Sequence, residues 1–173
     1  GGHRAGDYAS RLCVETMVQS LEKSAHKTPV SLFEEAVTAA NKAVFEESAS
    51  HVEYEGMGTT VVACTLEENT LYIANIGDSR LYLIRDGIEQ ITDDHSLVEE
   101  MVKQGNITES EARIHPQKNI ITRALGINEE VQADFFEIDV EQGDVIMLCS
   151  DGLSNMIEDE DMEYIVKNSD TLQ

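Results

Sequence analysis

The chain has 173 residues, the size of one domain, and 41% of them are apolar, which is enough for a globular core. Thirty-four acidic against 12 basic residues give a formal net charge of −22. This charge disfavours nucleic acids and anionic membranes as partners and favours divalent cations. Three cysteines without pair spacing, no leader and no long apolar run indicate a cytoplasmic protein.

The N-terminal part of the sequence predicts two helices. Apolar residues recur at helical spacing over residues 7–25, with Asp7 as the N-cap. A proline-containing segment separates this helix from a second one. Ser31 is predicted to cap the second helix, and Glu34, three residues later, completes a capping box.

After Gly56 the sequence changes to the β-branched composition of strands. Gly77-Asp78 and Asp86-Gly87 have the composition of tight turns, so we expect an antiparallel meander. The predicted strands are residues 59–66, 71–76, 80–84 and 88–91.

The second half of the sequence alternates between helices and strands, which together with the first half predicts an α+β layered domain. Gly105 ends a predicted helix, and a polar segment with a short helical piece follows it. In chain order we predict a helix at 96–104, a helical piece at 108–113, strands near 120, at 133–138 and at 145–149, and a helix at 159–167.

Two aspartates stand where metal ligands are often found. The apolar run 144–149 predicts a buried strand, and Asp151 follows it; a carboxylate there is either a ligand for a hard metal ion or a helix cap. Asp94 has the same two interpretations, with Asp93 as its competitor. Asp78 lies in the predicted hairpin turn, where turn chemistry explains an aspartate without a metal ion.

Short motifs follow one another in a fixed order. They are Met57-Gly58-Thr59-Thr60, Asn75-Ile76-Gly77-Asp78-Ser79-Arg80, Asp94-His95-Ser96-Leu97-Val98, Arg123-Ala124-Leu125-Gly126 and Ser150-Asp151-Gly152-Leu153. This ordered set resembles the metal-dependent protein phosphatases of the 2C type, in their bacterial form, over nearly the whole chain. The resemblance implies a four-layer αββα sandwich with two central antiparallel sheets.

The resemblance also implies roles for individual residues. Asp151 matches a carboxylate of the metal cluster, and Asp94 matches the aspartate that holds a third, weaker metal ion with it. Gly152 would let the backbone turn sharply beside the ion. Asp78 and Thr59 are expected to be structural or to support the ligands.

Two further segments have counterparts in the family. Gly1-Gly2-His3 matches the end of the family's Asp-Gly-x-Gly-Gly-His pattern, which gives His3 a supporting role. Residues 105–119 match a mobile flap beside the active site. Its Arg113 and His115 would touch a phosphopeptide, or else they are ordinary charges of an exposed loop.

The expected function is hydrolysis of phosphoserine and phosphothreonine in proteins by a water that bridges two Mn²⁺ or Mg²⁺ ions, with a third ion in some members. A Ser/Thr protein kinase would be the counterpart. The family's bridging aspartate and late Asp-Asn have no match in residues 1–173. We therefore predict a single domain that lacks its N-terminal strands and C-terminal ligand segment, from a longer parent chain.

The missing strands leave two further hypotheses open. Exposed strand edges would favour a strand-exchanged dimer. Alternatively, the chain is a truncated, inactive phosphatase-fold module that binds a protein partner.

Overall fold

The computed structural model describes residues 5–24 and 27–169 and has the predicted α+β architecture. Its helices are α1 (Gly6–Lys23), α2 (Pro29–Ser50), α3 (Leu97–Lys103), α4 (Glu109–Ile114), α5 (Asp151–Ser154) and α6 (Asp159–Lys167). Its strands are β1 (Val61–Glu67), β2 (Thr70–Ile76), β3 (Arg80–Ile84), β4 (Ile88–Gln90), β5 (Asp134–Asp139) and β6 (Val145–Cys149). In this part of the chain, no helix has both the length and the apolar content that a membrane crossing requires.

The N-terminal ends of the first two helices differ from the prediction. Ala5, in a left-handed conformation, precedes α1, so Asp7 lies in the first turn and is not the N-cap. The Thr28 hydroxyl caps α2 by accepting a hydrogen bond from the Ser31 backbone N–H. The helix starts earlier than predicted because Pro29 has a fixed φ and no N–H to satisfy, which suits the first helical position.

The strands form two antiparallel three-stranded sheets, in the orders β1-β2-β5 and β4-β3-β6. The predicted meander is therefore wrong, because β2 and β3 belong to different sheets. Residues 77–79 carry the chain from one sheet to the other. Gly-Asp is compatible with a crossover as well as with a hairpin turn, so composition alone does not distinguish them.

The core lies in two layers on either side of β2. One face of this strand contributes Ala74 and Ile76 to a cluster with α1 and α2, whereas the other face places Leu71 and Ile73 against Leu81 of β3. Such alternation makes β2 the buried central strand of its sheet. On the far side, α5 contacts β6 and α6 contacts β4. This arrangement confirms the four-layer sandwich.

Two other predictions about strands fail. The segment near Ile120 forms only an isolated bridge between Ile121 and Ser96. In the described sheet β6 pairs with β3 alone, and its residues are half-buried or exposed. The apolar composition of β6 therefore does not correspond to a fully buried strand in this part of the chain.

Candidate active site

A cavity of about 480 Å³ opens between the crossover after β2, helices α3 and α4, and the segment from α5 to α6. Acidic side chains dominate its wall. They are Asp78, Asp93, Asp94, Glu99, Glu109, Asp151, Glu158 and Asp159, and the basic ones are Arg80, Arg113 and Lys118. The structure thus brings Asp94 and Asp151, the two predicted metal ligands, to one cavity.

Asp78 lies on the same wall, at the crossover between the sheets. Burial raises the pKa of its carboxyl above the ordinary value, and the charges of Asp151 and then Asp94 raise it further. Carboxylates that line one cavity repel one another and so favour the protonated form. Asp78 therefore belongs to the acidic cluster, and it lies at a crossover between the sheets instead of in the predicted hairpin turn.

The conformation of Gly77 sets the position of Asp78. Gly77 has a φ of +103°, and a Cβ there would lie 2.4 Å from Cγ2 of Thr60. Only glycine accommodates both the backbone conformation and the close approach. The hydroxyls of Thr60 and Ser79, 2.8 Å apart, join the two sides of this crossover.

Asp94 is held by an ion pair that the sequence did not predict. Arg80 donates from Nε to Oδ1 at 2.9 Å and from Nη2 to Oδ2 at 2.7 Å, and Gln90 also donates to Oδ1. Burial alone would lower the pKa of Arg80, but Asp94 raises it above its ordinary value. Ser96, whose hydroxyl accepts from the Glu99 N–H, caps α3, so Asp94 is not the N-cap.

Asp151 is exposed and is the first residue of the short helix α5. Ser150 occupies the N-cap position, so the interpretation of Asp151 as the cap is also wrong. Gly152 is the second helical residue, and its φ lies outside the left-handed region. The backbone turn at Gly152 is therefore helical and does not use the left-handed conformation that glycine favours.

Of the remaining residues that the sequence analysis predicted for the site, some line the cavity and others do not. Arg113 lines the cavity and pairs with Glu158 at 2.7 Å. His115 lies beyond α4, and its Nδ1 accepts a hydrogen bond from the Gln117 N–H. Thr59 pairs through its backbone with Leu125, along an apolar groove beneath α1. His3 lies outside the described residues.

The chemistry of the cavity suits a hard divalent cation only in part. Carboxylate oxygens are the preferred ligands of Mg²⁺ and Mn²⁺, and Mg²⁺ often uses one or two of them and keeps several waters. Burial, and then repulsion from Asp151 and Asp94, raise the pKa of Asp78, and a bound cation would offset both effects. Among the described residues, however, no group of three His, Cys, Asp or Glu side chains is arranged to hold an ion.

Asp78 could have been recognised from the sequence by its position. It follows the apolar strand β2 in the same way that Asp151 follows β6. In both places the chain leaves a sheet and presents a carboxylate at its end. The ion pair of Arg80 with Asp94, in contrast, joins residues 14 positions apart and depends on the tertiary fold.

Sequence comparison finds similar proteins that align with almost the full length of this chain. The sequence model of the family described as Protein phosphatase 2C matches residues 1–171. The serine/threonine phosphatase stp of Listeria monocytogenes serotype 4b is 39% identical over 177 aligned residues, which cover 99% of this chain and 70% of that protein.

Solved structures agree with the sequence comparison. The serine/threonine phosphatase Stp1 from Staphylococcus aureus superimposes with a TM-score of 0.91 at 34% identity, covering 99% of this chain and 69% of that one. The catalytic domain of the phosphatase PstP, in complex with two manganese ions, gives a TM-score of 0.85 at 35% identity, covering 98% and 71%. The chain described here belongs to the protein phosphatase 2C family.

Proposed function

We propose that this protein hydrolyses phosphoserine and phosphothreonine in phosphoproteins and depends on Mn²⁺ or Mg²⁺. The observation that carries the proposal is the placement of Asp78 and Asp151 in one acidic cavity of a phosphatase 2C fold. The manganese ions of the similar PstP domain support the choice of cation.

Within the cavity we assign the cation to Asp151 and Asp78. Asp94 is the second ligand expected from the sequence, but both of its oxygens already accept hydrogen bonds from Arg80. Its role in this proposal is to hold Arg80 and to add negative charge to the site. Bound divalent ions supply Lewis-acid neutralisation of the phosphoryl charge and activation of water.

The basic residues of the cavity wall would bind the substrate. Arg113 and Lys118 line the side formed by α4 and the segment after it. A phosphate group attracts guanidinium and ammonium groups, and Arg113 would then exchange its exposed partner Glu158 for the phosphopeptide. His115, which does not line the described cavity, would contact only the more distant part of a peptide.

A site for two ions needs more ligands than the described residues offer, because no cluster of three is found among them. That such ligands lie in a longer parent chain stays a prediction. A genomic reading frame with an upstream Asp-Gly and a downstream Asp-Asn would support it, and its absence would contradict it.

The decisive experiment is Mn²⁺-dependent hydrolysis of p-nitrophenyl phosphate and of a phosphothreonine peptide by the longer parent chain that contains these residues, with EDTA as a control. Asp151→Asn and Asp78→Asn are each expected to lower turnover at least about tenfold. Asp139→Asn, which removes a carboxylate at the end of β5, is the matched control and should retain activity. Cation binding without turnover would favour the non-catalytic binding module.

Three further proposals concern the setting of the enzyme. We expect it to act in the cytoplasm, opposite a Ser/Thr protein kinase, and phosphoproteins that accumulate when the gene is deleted would identify its substrates. The described sheets have β1 and β5, and β4 and β6, at their edges, and strand exchange between two copies through such edges would give a dimer. A monomer in light scattering at micromolar concentration would contradict the dimer.

A further inference from the structure

The crossover that carries Asp78 is clamped by the buried side chain of His95, which is 7% exposed. The Gly77 N–H donates to His95 Nδ1 at 2.9 Å, and the His95 N–H donates to the Gly77 carbonyl at 2.9 Å. One residue thus holds both polar backbone groups of the glycine next to Asp78.

These hydrogen bonds determine the tautomer of His95. Because Nδ1 accepts the Gly77 N–H, the neutral ring must carry its proton on Nε2. Nε2 lies 3.0 Å from Oδ2 of Asp134, so it donates to that carboxylate. Arg123 donates to the other oxygen of Asp134 at 2.6 Å and keeps the carboxylate oriented.

This chain of contacts links the two sheets. Asp134 begins β5 of the first sheet, whereas Asp78 lies two residues before the start of β3 in the second. In Asp134→Asn the single amide oxygen would stay with Arg123, which leaves the amide N–H to donate to Nε2 of His95. The ring proton would then move to Nδ1, where it opposes the Gly77 N–H.

We propose that Asp134, acting through the His95 tautomer, is a positioning residue for the cation-binding carboxylate of Asp78. The inference rests on the proposed function insofar as Asp78 binds a cation. It assigns Asp134 and His95 no contact with substrate. Their effect is to fix the backbone from which the Asp78 side chain extends.

Asp134→Asn tests the proposal with two measurements. Long-range ¹H–¹⁵N NMR of the metal-free protein reports the His95 tautomer, and electron paramagnetic resonance of free Mn²⁺ reports cation affinity. We expect the Nε2–H tautomer in the wild type and its loss in the variant, together with an affinity for Mn²⁺ about tenfold weaker. Asp139→Asn, on the same strand, should change neither measurement.

Two substitutions of His95 separate its two nitrogen positions. In His95→Asn the amide oxygen replaces Nδ1 as the acceptor for Gly77, so affinity for Mn²⁺ should stay near the wild-type value. His95→Gln reaches towards Asp134 instead and loses that acceptor, so affinity should fall as in Asp134→Asn. Urea unfolding identifies a His95 variant that fails to fold. In that case the Asp134→Asn measurements alone test the positioning role.

The outcomes that overturn the inference differ from those that overturn the function. Wild-type affinity in Asp134→Asn, or equal losses in the two His95 variants, would refute the positioning role while the cation site stands. If the wild type itself bound no Mn²⁺, the proposed cation site would fail, and the inference would fail with it.

Discussion

Replacing Gly77 with alanine should destabilise the fold and disturb the acidic cavity, because this residue is the point at which the chain passes between the sheets. The added Cβ would lie 2.4 Å from Cγ2 and 2.8 Å from Cβ of Thr60. Thr60 itself is tied to Ser79 through its hydroxyl, so it has little freedom to move away.

The magnitude follows from two separate costs. An alanine at a φ of +103° costs about 1–3 kcal/mol in backbone strain. Overpacking against Thr60 adds about 1–3 kcal/mol. Gly143→Ala isolates the first cost, because Gly143 has a φ of +100° and a Cβ added there would meet no described atom within 4 Å.

Urea unfolding followed by circular dichroism measures the difference between the two variants. For a slope of about 2 kcal/mol per M, Gly77→Ala should unfold about 0.5–1.5 M earlier than Gly143→Ala. Thr60→Ser removes the nearest methyl group and keeps the hydroxyl, so it should recover part of the loss in the double variant. Equal midpoints for Gly77→Ala and Gly143→Ala would refute the steric argument.

Two ion pairs give further predictions. The hydrogen bond from Arg85 lowers the pKa of Asp144 to about 2 in the folded protein. The ionised Asp144 carboxylate therefore stabilises the fold above about pH 4, and this stabilisation is lost as the pH falls towards 2. The urea midpoints of wild type and Asp144→Asn should converge over this range, and a constant gap would contradict the assignment. Arg80→Met should cost about 2–3 kcal/mol, because the Arg80–Asp94 side chains are only 20% and 12% exposed. Lys103→Met, which removes a pair that is 52% and 55% exposed, should cost less than about 1 kcal/mol, and equal losses in urea unfolding would refute the comparison.

The sequence predicted the elements of the fold better than their pairing. The bounds of β3, β6 and α6 agree with the prediction, because strand and helix periodicity are local properties. The assignment of β2 and β3 to one meander failed, since alternation tells which residues share a face but not which sheet a strand joins. The start of α2 failed for a local reason, because a proline suggests a break in a helix, whereas Pro29 suits the first turn.

Prediction of the candidate site had a similar limit. Motif order was enough to place Asp94 and Asp151 in one cavity. It did not reveal that Arg80 forms an ion pair with Asp94. It also did not reveal that Asp78 lines the same cavity as Asp151. Both facts depend on how the second sheet packs against the first. A pattern of short motifs contains no information on this packing.

The acidic cavity therefore depends on the relative position of the two sheets. Asp78 stands at the entrance to β3, but the glycine before it is fixed through His95 to Asp134 of β5. Asp151 follows β6, which pairs with β3. Because the apolar contacts of Leu71 and Ile73 with Leu81 hold the sheets together, the spacing of these carboxylates is a property of the core as well as of the site. A substitution that shifts one sheet against the other would alter cation affinity without touching a ligand.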